Sequence, residues 1–250
     1  MCFYSGYLIM KILSKWGLIS FLYLGLITFS TAQSLVSKVI ITGEMRNVMW
    51  KGQLKATISL DTISDKSNLY RFGPLDSLSG EIILLAGKSY QSSVLPDSSM
   101  VVLESDHLKA PFFAHSHIAN WTEEILDEEI QSVFQLESYL ESRMKGFSGP
   151  FMFKLTGIVR DATIHVMNLR RGTKVNSPDD AHKEKVTYQI KNQQIELLGF
   201  FSKEHKGIFT HHDSFLHMHL MTADKKKMGH LEELFFEKGK MKLFLGLKRD

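Results

Sequence analysis

The apolar runs of this chain constrain its fold more than any other feature. Past residue 35 they are short, rich in β-branched and aromatic residues, and separated by Gly, Pro or polar clusters. That is the pattern of strands, not of a helical bundle. Residues 37–60 predict a strand, a loop or short helix, and a second strand. Residues 69–91 carry turn chemistry at Gly73-Pro74, at Gly80 and at Ala86-Gly87, which predicts a β-hairpin or meander. Residues 151–169 predict two strands around Gly157. Residues 186–202 predict two more, joined near Lys191-Asn192. The remainder is expected to be mostly strands, with a basic turn at 225–227. One stretch differs. Between 121 and 145, Ile125, Ile130, Val133, Phe134, Leu140 and Met144 recur near helical spacing, with Thr122 as N-cap. The expected class is α+β: mixed or antiparallel sheets in two packed subdomains with one main amphipathic helix. The break at 146–150 separates an N-terminal α+β subdomain, 33–146, from a C-terminal β-rich, metal-binding one, 147–250.

Residues 16–32, WGLISFLYLGLITFSTA, form an uncharged apolar run preceded by Lys11 and Lys15. Ser30 and Ala32 supply the small residues of a signal-peptidase site. The order is that of a secretory signal, residues 1–32, and places the mature protein outside the cytoplasm, secreted or periplasmic. A single membrane anchor is the alternative, although the run is near the lower limit for a span. Met10, followed by Lys11, makes a more typical start than Met1. Cleavage after Ala32 removes Cys2, the only cysteine. The mature chain then has no thiol, so any metal must be held by His and carboxylates. Lys and Arg exceed Asp and Glu by 30 to 27, and two of the positives lie in the leader. The body is nearly neutral, which argues against nucleic-acid binding. No stable membrane insertion is expected after cleavage.

Histidine is unevenly placed: six of eleven fall between His205 and His230. His217 and His219 are two apart in an apolar, strand-like run, so both project to one face. His230 follows eleven residues later, after Gly229. A strand, a turn and a returning strand bring it beside the pair. Three His with an open fourth position form the geometry of a catalytic zinc site. The pattern H-x-H is short and arises by chance in a His-rich stretch. His115 and His117 show it too, without a third ligand nearby in sequence. His211 and His212 are adjacent, so at most one of them faces a common site on a strand.

The segment 198–234, with Gly199-Phe200, Ser202 to Glu204, Gly207, His217-His219 and Gly229-His230, resembles the zinc-binding segment of the alpha-acetolactate decarboxylases. Residues 72–91 resemble the family's Gly-Glu segment, and Ala110-Pro111-Phe112 its Pro-Phe-Ala segment. The similarity runs in order over roughly residues 45–245. It implies that His217, His219 and His230 hold Zn2+ and that Glu81 reaches the metal site as proton-transfer residue. It also implies decarboxylation of 2-acetolactate, a small 2-hydroxy-3-keto acid, to acetoin and CO2, and a homodimer. The cation would stabilise the enediolate left by CO2 loss.

Two departures accompany the resemblance. The family has an arginine after the Gly that matches Gly157. Here Arg170 or Arg171 is nearest, and Arg170 is the candidate for binding the substrate carboxylate. The family's second glutamate comes from a tail well beyond the last zinc His, whereas this sequence ends twenty residues after His230. Two alternatives therefore stand beside the decarboxylase. One is another zinc enzyme on the same scaffold, acting on a different keto acid or hydrolysing its substrate. The other is a non-catalytic exported protein that binds zinc or a small ligand.

Overall fold

The computed structural model describes residues 37–247, apart from 146, 148, 211 and 212. The leader expectation, Cys2, His211 and His212 lie outside the described residues. Leu35–Asp250 is one compact unit. Among the described residues no helix is long and apolar enough to cross a membrane.

The elements in chain order begin with β1 (Ile40–Thr42), helix α1 (Met45–Lys51), β2 (Ile58–Ser59), β3 (Leu69–Pro74), β4 (Glu81–Leu85) and β5 (Lys88–Val94). They continue with β6 (Met100–Glu104), β7 (Lys109–Ala110), β8 (Phe113–His117) and β9 (Asn120–Ile125). Helix α2 (Val133–Arg143), β10 (Phe151–Val166), helix α3 (Pro178–His182), β11 (Val186–Phe201), β12 (Leu216–Thr222) and β13 (Met228–Leu247) complete the chain. This is an α+β protein built mainly of antiparallel sheets, with α2 its main helix.

Six strands form the first sheet in the order β1-β8-β3-β4-β5-β6. The second has the order β10-β11-β12-β13-β9, and β10 also pairs with β13. Those pairings close β10, β11, β12 and β13 into a ring. Inside lies a core that includes Phe151, Phe153, Leu155, Leu197, Leu220 and Leu243, against which α2 sets Leu136 and Leu140. A second core, with Tyr70, Phe72, Ile83, Leu198, Phe200 and Met228, lies between the two sheets. The first sheet therefore spends one face on the second sheet. Its other face is covered by residues around Leu60 and Leu108.

Three local expectations are corrected. The helix does not begin at Thr122: residues 120–125 are β9, which pairs Trp121 with Gly246 of β13. Tertiary pairing overrides the helical spacing there, and the helix starts after Ser132, whose hydroxyl accepts from the Gln135 N–H. Gly157 does not separate two strands. It lies within β10, at a φ of 152°, where the pairing with β13 shifts register. Likewise β11 is continuous through Lys191-Asn192, with Asn192 in the left-handed region at a φ of 50°. At Gly157, β10 serves β11 on one edge and β13 on the other, and β11 follows β10 in constant register through Asn192, so a turn at either place would break that pairing.

Gly199 shows how tightly the ring is packed. It stands opposite Phe153 on β10, and a Cβ there would lie 2.1 Å from the Phe153 ring. Phe153 is fully buried and has no free direction to move. Gly199→Ala is expected to destabilise the fold by about 1–3 kcal/mol through overpacking. Urea unfolding measures it, and an unchanged midpoint would show that the ring core yields without cost.

Candidate metal centre

Strand alternation builds the site. In β12, Leu216, Met218 and Leu220 enter the ring core, so His217 and His219 face the first sheet. The turn after Thr222 returns the chain as β13 and sets His230 directly opposite His219. On the next strand, His165 of β10 stands opposite His230. Facing pairs share one side of a sheet, so register alone gathers these four rings. Gly229 makes the approach possible: a Cβ there would lie 2.4 Å from the His165 carbonyl oxygen.

All three triad histidines are buried. His217 Nε2 and His230 Nδ1 are 3.2 Å apart, and His230 Nδ1 and His219 Nε2 are 3.3 Å apart. The His217 Nδ1–H donates to the Phe209 carbonyl at 2.6 Å, which leaves Nε2 with its lone pair turned inward. A four-coordinate ion with metal–nitrogen bonds of about 2.0–2.1 Å separates its ligand nitrogens by about 3.3–3.4 Å. The observed spacings match, so this donor set could hold a metal ion.

The first sheet supplies the rest. Phe72 of β3 stacks on His219 with ring centroids 4.7 Å apart and meets His217 edge-on at 4.9 Å. Glu81, the first residue of β4, is 2% exposed. Its Oε1 accepts from the Met167 N–H at 3.1 Å, and its Oε2 lies 3.8 Å from His219 Nε2. Burial pushes the Glu81 carboxyl up to about 8, against the smaller opposing effect of the Met167 hydrogen bond. Without a cation nearby it is a neutral acid at pH 7.

Two openings reach the centre. One is walled by apolar side chains, including Met45, Met49, Trp50, Phe112 and Met167. The other is polar, bordered by Asp179, Lys185, Asp213, Glu232 and Glu233. His165, His182, His217 and His230 line both. The His165 ring stacks on His230 at 4.7 Å, and its Nδ1–H donates to Glu232 Oε1 at 3.0 Å. Lys185 binds the same carboxylate oxygen. The His165 hydrogen bond, seconded by Lys185, holds Glu232 down to about 2, although partial burial acts against it. Burial lowers the pKa of His165 itself, with Glu232 opposing.

The model of the family described as alpha-acetolactate decarboxylase matches residues 42–246. The chain belongs to this family. A curated alpha-acetolactate decarboxylase of Brevibacillus brevis is 24% identical over 202 residues, covering 79% of this chain and 66% of that protein. This chain thus spans just under two thirds of that relative's length. The solved alpha-acetolactate decarboxylase of Bacillus subtilis strain 168 superposes with a TM-score of 0.70 at 16% identity, over 85% of this chain and 86% of that one. A Staphylococcus aureus protein of unknown function, described as similar to alpha-acetolactate decarboxylase, superposes at 0.68 with 16% identity, covering 84% and 86%. At these identities the structures establish the shared fold.

Within this decarboxylase scaffold, the structure brings together His217, His219, His230 and Glu81, but not Arg170. Strand β10 ends at Val166, and the Leu169 N–H is tied to the Leu78 carbonyl. The chain then turns outward, and the Arg170 side chain is 86% exposed, with Nε 3.6 Å from Glu184 Oε1. Arg171 is exposed as well. No arginine lines the apolar cavity among the described residues. After Gly157 it is His165, with Met167, that faces the apolar cavity. Sequence inspection missed His165, together with His182, and set Glu232 aside as no equivalent of the family's tail glutamate. Period-two alternation through Ala162, Ile164 and Val166 would have turned Thr163, His165 and Met167 to the opposite face.

The Glu81 carboxyl makes a pH-dependent prediction for the metal-free protein. Its ordinary value is 4.5, and its folded value is about 8. Between those values the folded state holds a proton that the unfolded chain has lost. Stability derived from this group is therefore full below about pH 4.5, falls as pH rises towards 8, and levels above it. Urea midpoints of the metal-free wild type and Glu81→Gln, compared from pH 5 to 9, should diverge over that interval. Parallel curves would show that Glu81 ionises normally.

Proposed function

We propose that this protein decarboxylates 2-acetolactate to acetoin and CO2 and that its metal is zinc. The observation that carries the reading is the convergence of three histidine nitrogens at tetrahedral spacing beside a buried carboxyl, within the alpha-acetolactate decarboxylase fold. A bound divalent cation supplies Lewis acidity, which stabilises negative charge developing on the substrate's ketone oxygen.

The chain's own residues supply the remaining work. Phe72 and the Phe209 carbonyl hold the imidazoles in place, so little rearrangement accompanies reaction. The methyl groups of the substrate fit the apolar wall of Met45, Met49, Phe112 and Met167. Its polar end faces His165, fixed by Glu232. When the bond to the carboxylate breaks, its electron pair passes towards the ketone oxygen. The same carbon must then receive a proton. Glu81 is the candidate to deliver it: Oε1 is occupied by the Met167 N–H, so a proton on this carboxyl would sit on Oε2, on the triad side. Solvent then restores it.

The apolar wall favours this reading over a hydrolase on the same scaffold. Hydrolysis requires groups that order an attacking water, and the wall of Met45, Met49, Phe112 and Met167 offers none, whereas it suits the methyl groups of a keto acid. Residues 33–250 purified with zinc are expected to form acetoin from 2-acetolactate above the spontaneous background, and a chelator should abolish that activity. Bound zinc without acetoin would overturn the substrate assignment and leave the metal site standing. Separately, His217→Ala, His219→Ala or His230→Ala should abolish stoichiometric zinc by elemental analysis, while Arg170→Ala should change neither zinc content nor KM appreciably. Unchanged zinc in all three histidine variants would sink the ligand assignment.

A further inference from the structure

The far face of the first sheet carries a second group of buried polar side chains. In β3, Tyr70 and Phe72 point to the second sheet, while Leu69 and Arg71 point away from it. Arg71 is fully buried there. Its guanidinium lies 3.8 Å from the centre of the Phe113 ring. Nε, Nη1 and Nη2 are all shielded from solvent and have no hydrogen-bond partner. His115 stands directly opposite Arg71 on β8. It is 7% exposed, its ring lies 5.2 Å from Phe113, and its Nδ1 has no partner. On the other side the same cross-strand row passes through Leu84 to Ser89. Ser89 is fully buried, and its hydroxyl is also unpartnered.

A buried guanidinium requires an opposite charge, and a ring face satisfies none of its N–H groups. No ion pair to Arg71 occurs among the described residues. Asp61, in the segment that covers this face, is engaged by His107 and Ser59. The unpaired groups at the guanidinium and on the strand beside it are donors: guanidinium N–H and an imidazole that can present N–H. Donors gathered without an acceptor are the chemistry that recognises an anion. The guanidinium nitrogens open to no surface, which restricts the ligand to a small one.

We infer that Arg71 and His115 form a buried binding site for a small inorganic anion of halide size. The site lies on the opposite face of the sheet from Glu81 and does not depend on the metal centre. Burial already lowers the Arg71 pKa to about 9, and an anion at the guanidinium relieves that penalty. The anion supplies the acceptor that the covering segment lacks, and so fastens residues 57–63 and 105–110 to the sheet.

Bromide is the probe. Thermal unfolding of the zinc-loaded protein is followed as bromide replaces gluconate, an anion too large to enter, at constant ionic strength. The midpoint should rise with bromide and saturate. Arg71→Met, which fills similar volume without charge, should lose the dependence while zinc content stays unchanged. His115→Gln should weaken it. In wild-type crystals grown with bromide, an anomalous peak should lie within contact of the Arg71 guanidinium, a result that stands even if Arg71→Met does not fold. Equal bromide dependence in wild type and Arg71→Met would overturn the inference. So would a crystal structure in which Arg71 pairs with a protein carboxylate and no bromide lies beside it.

Discussion

The alternation of β12 is the constraint on which the rest depends. Its seven residues are all buried, so each side chain must be taken by one of two cores. Leu216, Met218 and Leu220 belong inside the ring, and that assignment sends His217 and His219 to the interface between the sheets. A one-residue slip would place imidazoles in the ring core and leucines at the metal centre. Apolar burial therefore enforces the register that sets the ligand geometry. The pairing of His219 with His230, and of His230 with His165, extends the same register across two more strands.

Packing of the first sheet completes the centre. Phe72 covers two of the imidazoles, and Glu81 approaches from the end of a neighbouring strand. Neither belongs to the sheet that carries the histidines, so the site exists only when the two sheets are docked. Docking also sets the electrostatics. It removes Glu81 from water, raises its proton affinity, and leaves the Met167 N–H as the main compensation. The polar opening has the opposite character. There Glu232, held by His165 and Lys185, remains ionised. In the metal-free protein, two carboxyls near one centre are thus kept in different protonation states by burial and by partners.

The parts of this molecule that were legible in sequence are those governed by short range. The spacing of His217, His219 and His230 sufficed because one turn closes the three onto one face. The strand-rich α+β class followed from alternation and turn residues. Long range defeated the rest. Continuity of β10 through Gly157 is decided by β11 and β13 on its two sides, with an irregularity in the β13 pairing, and β11 runs through Asn192 in unbroken register with β10. The carboxylate-binding candidate, Arg170, rests on nearness to the family's position, and it lies beyond the end of β10, exposed. Segment 120–125 carried acids and apolar residues at helical spacing, yet its pairing with the last residues of β13 drew it into a strand. Glu81 was reached only through the family resemblance, since nothing local marks it as buried.

Under the proposed function, a site that presents His165 and no guanidinium among the described residues that line its apolar cavity selects its substrate differently. A guanidinium would bind a carboxylate through two fixed hydrogen bonds and a permanent charge. His165 offers a single ring nitrogen towards the cavity, its other nitrogen being committed to Glu232, and burial favours its neutral form. Binding energy must then come chiefly from the apolar wall and the ion that the triad could hold. A site of that kind holds a carboxylate weakly, and in the proposed reaction the carboxylate is the group that departs as CO2. Tight ionic binding of that group would stabilise the ground state more than the transition state, in which its charge is already dispersing. A neutral imidazole beside it avoids that loss, and Glu232 keeps the ring in place without adding a cation.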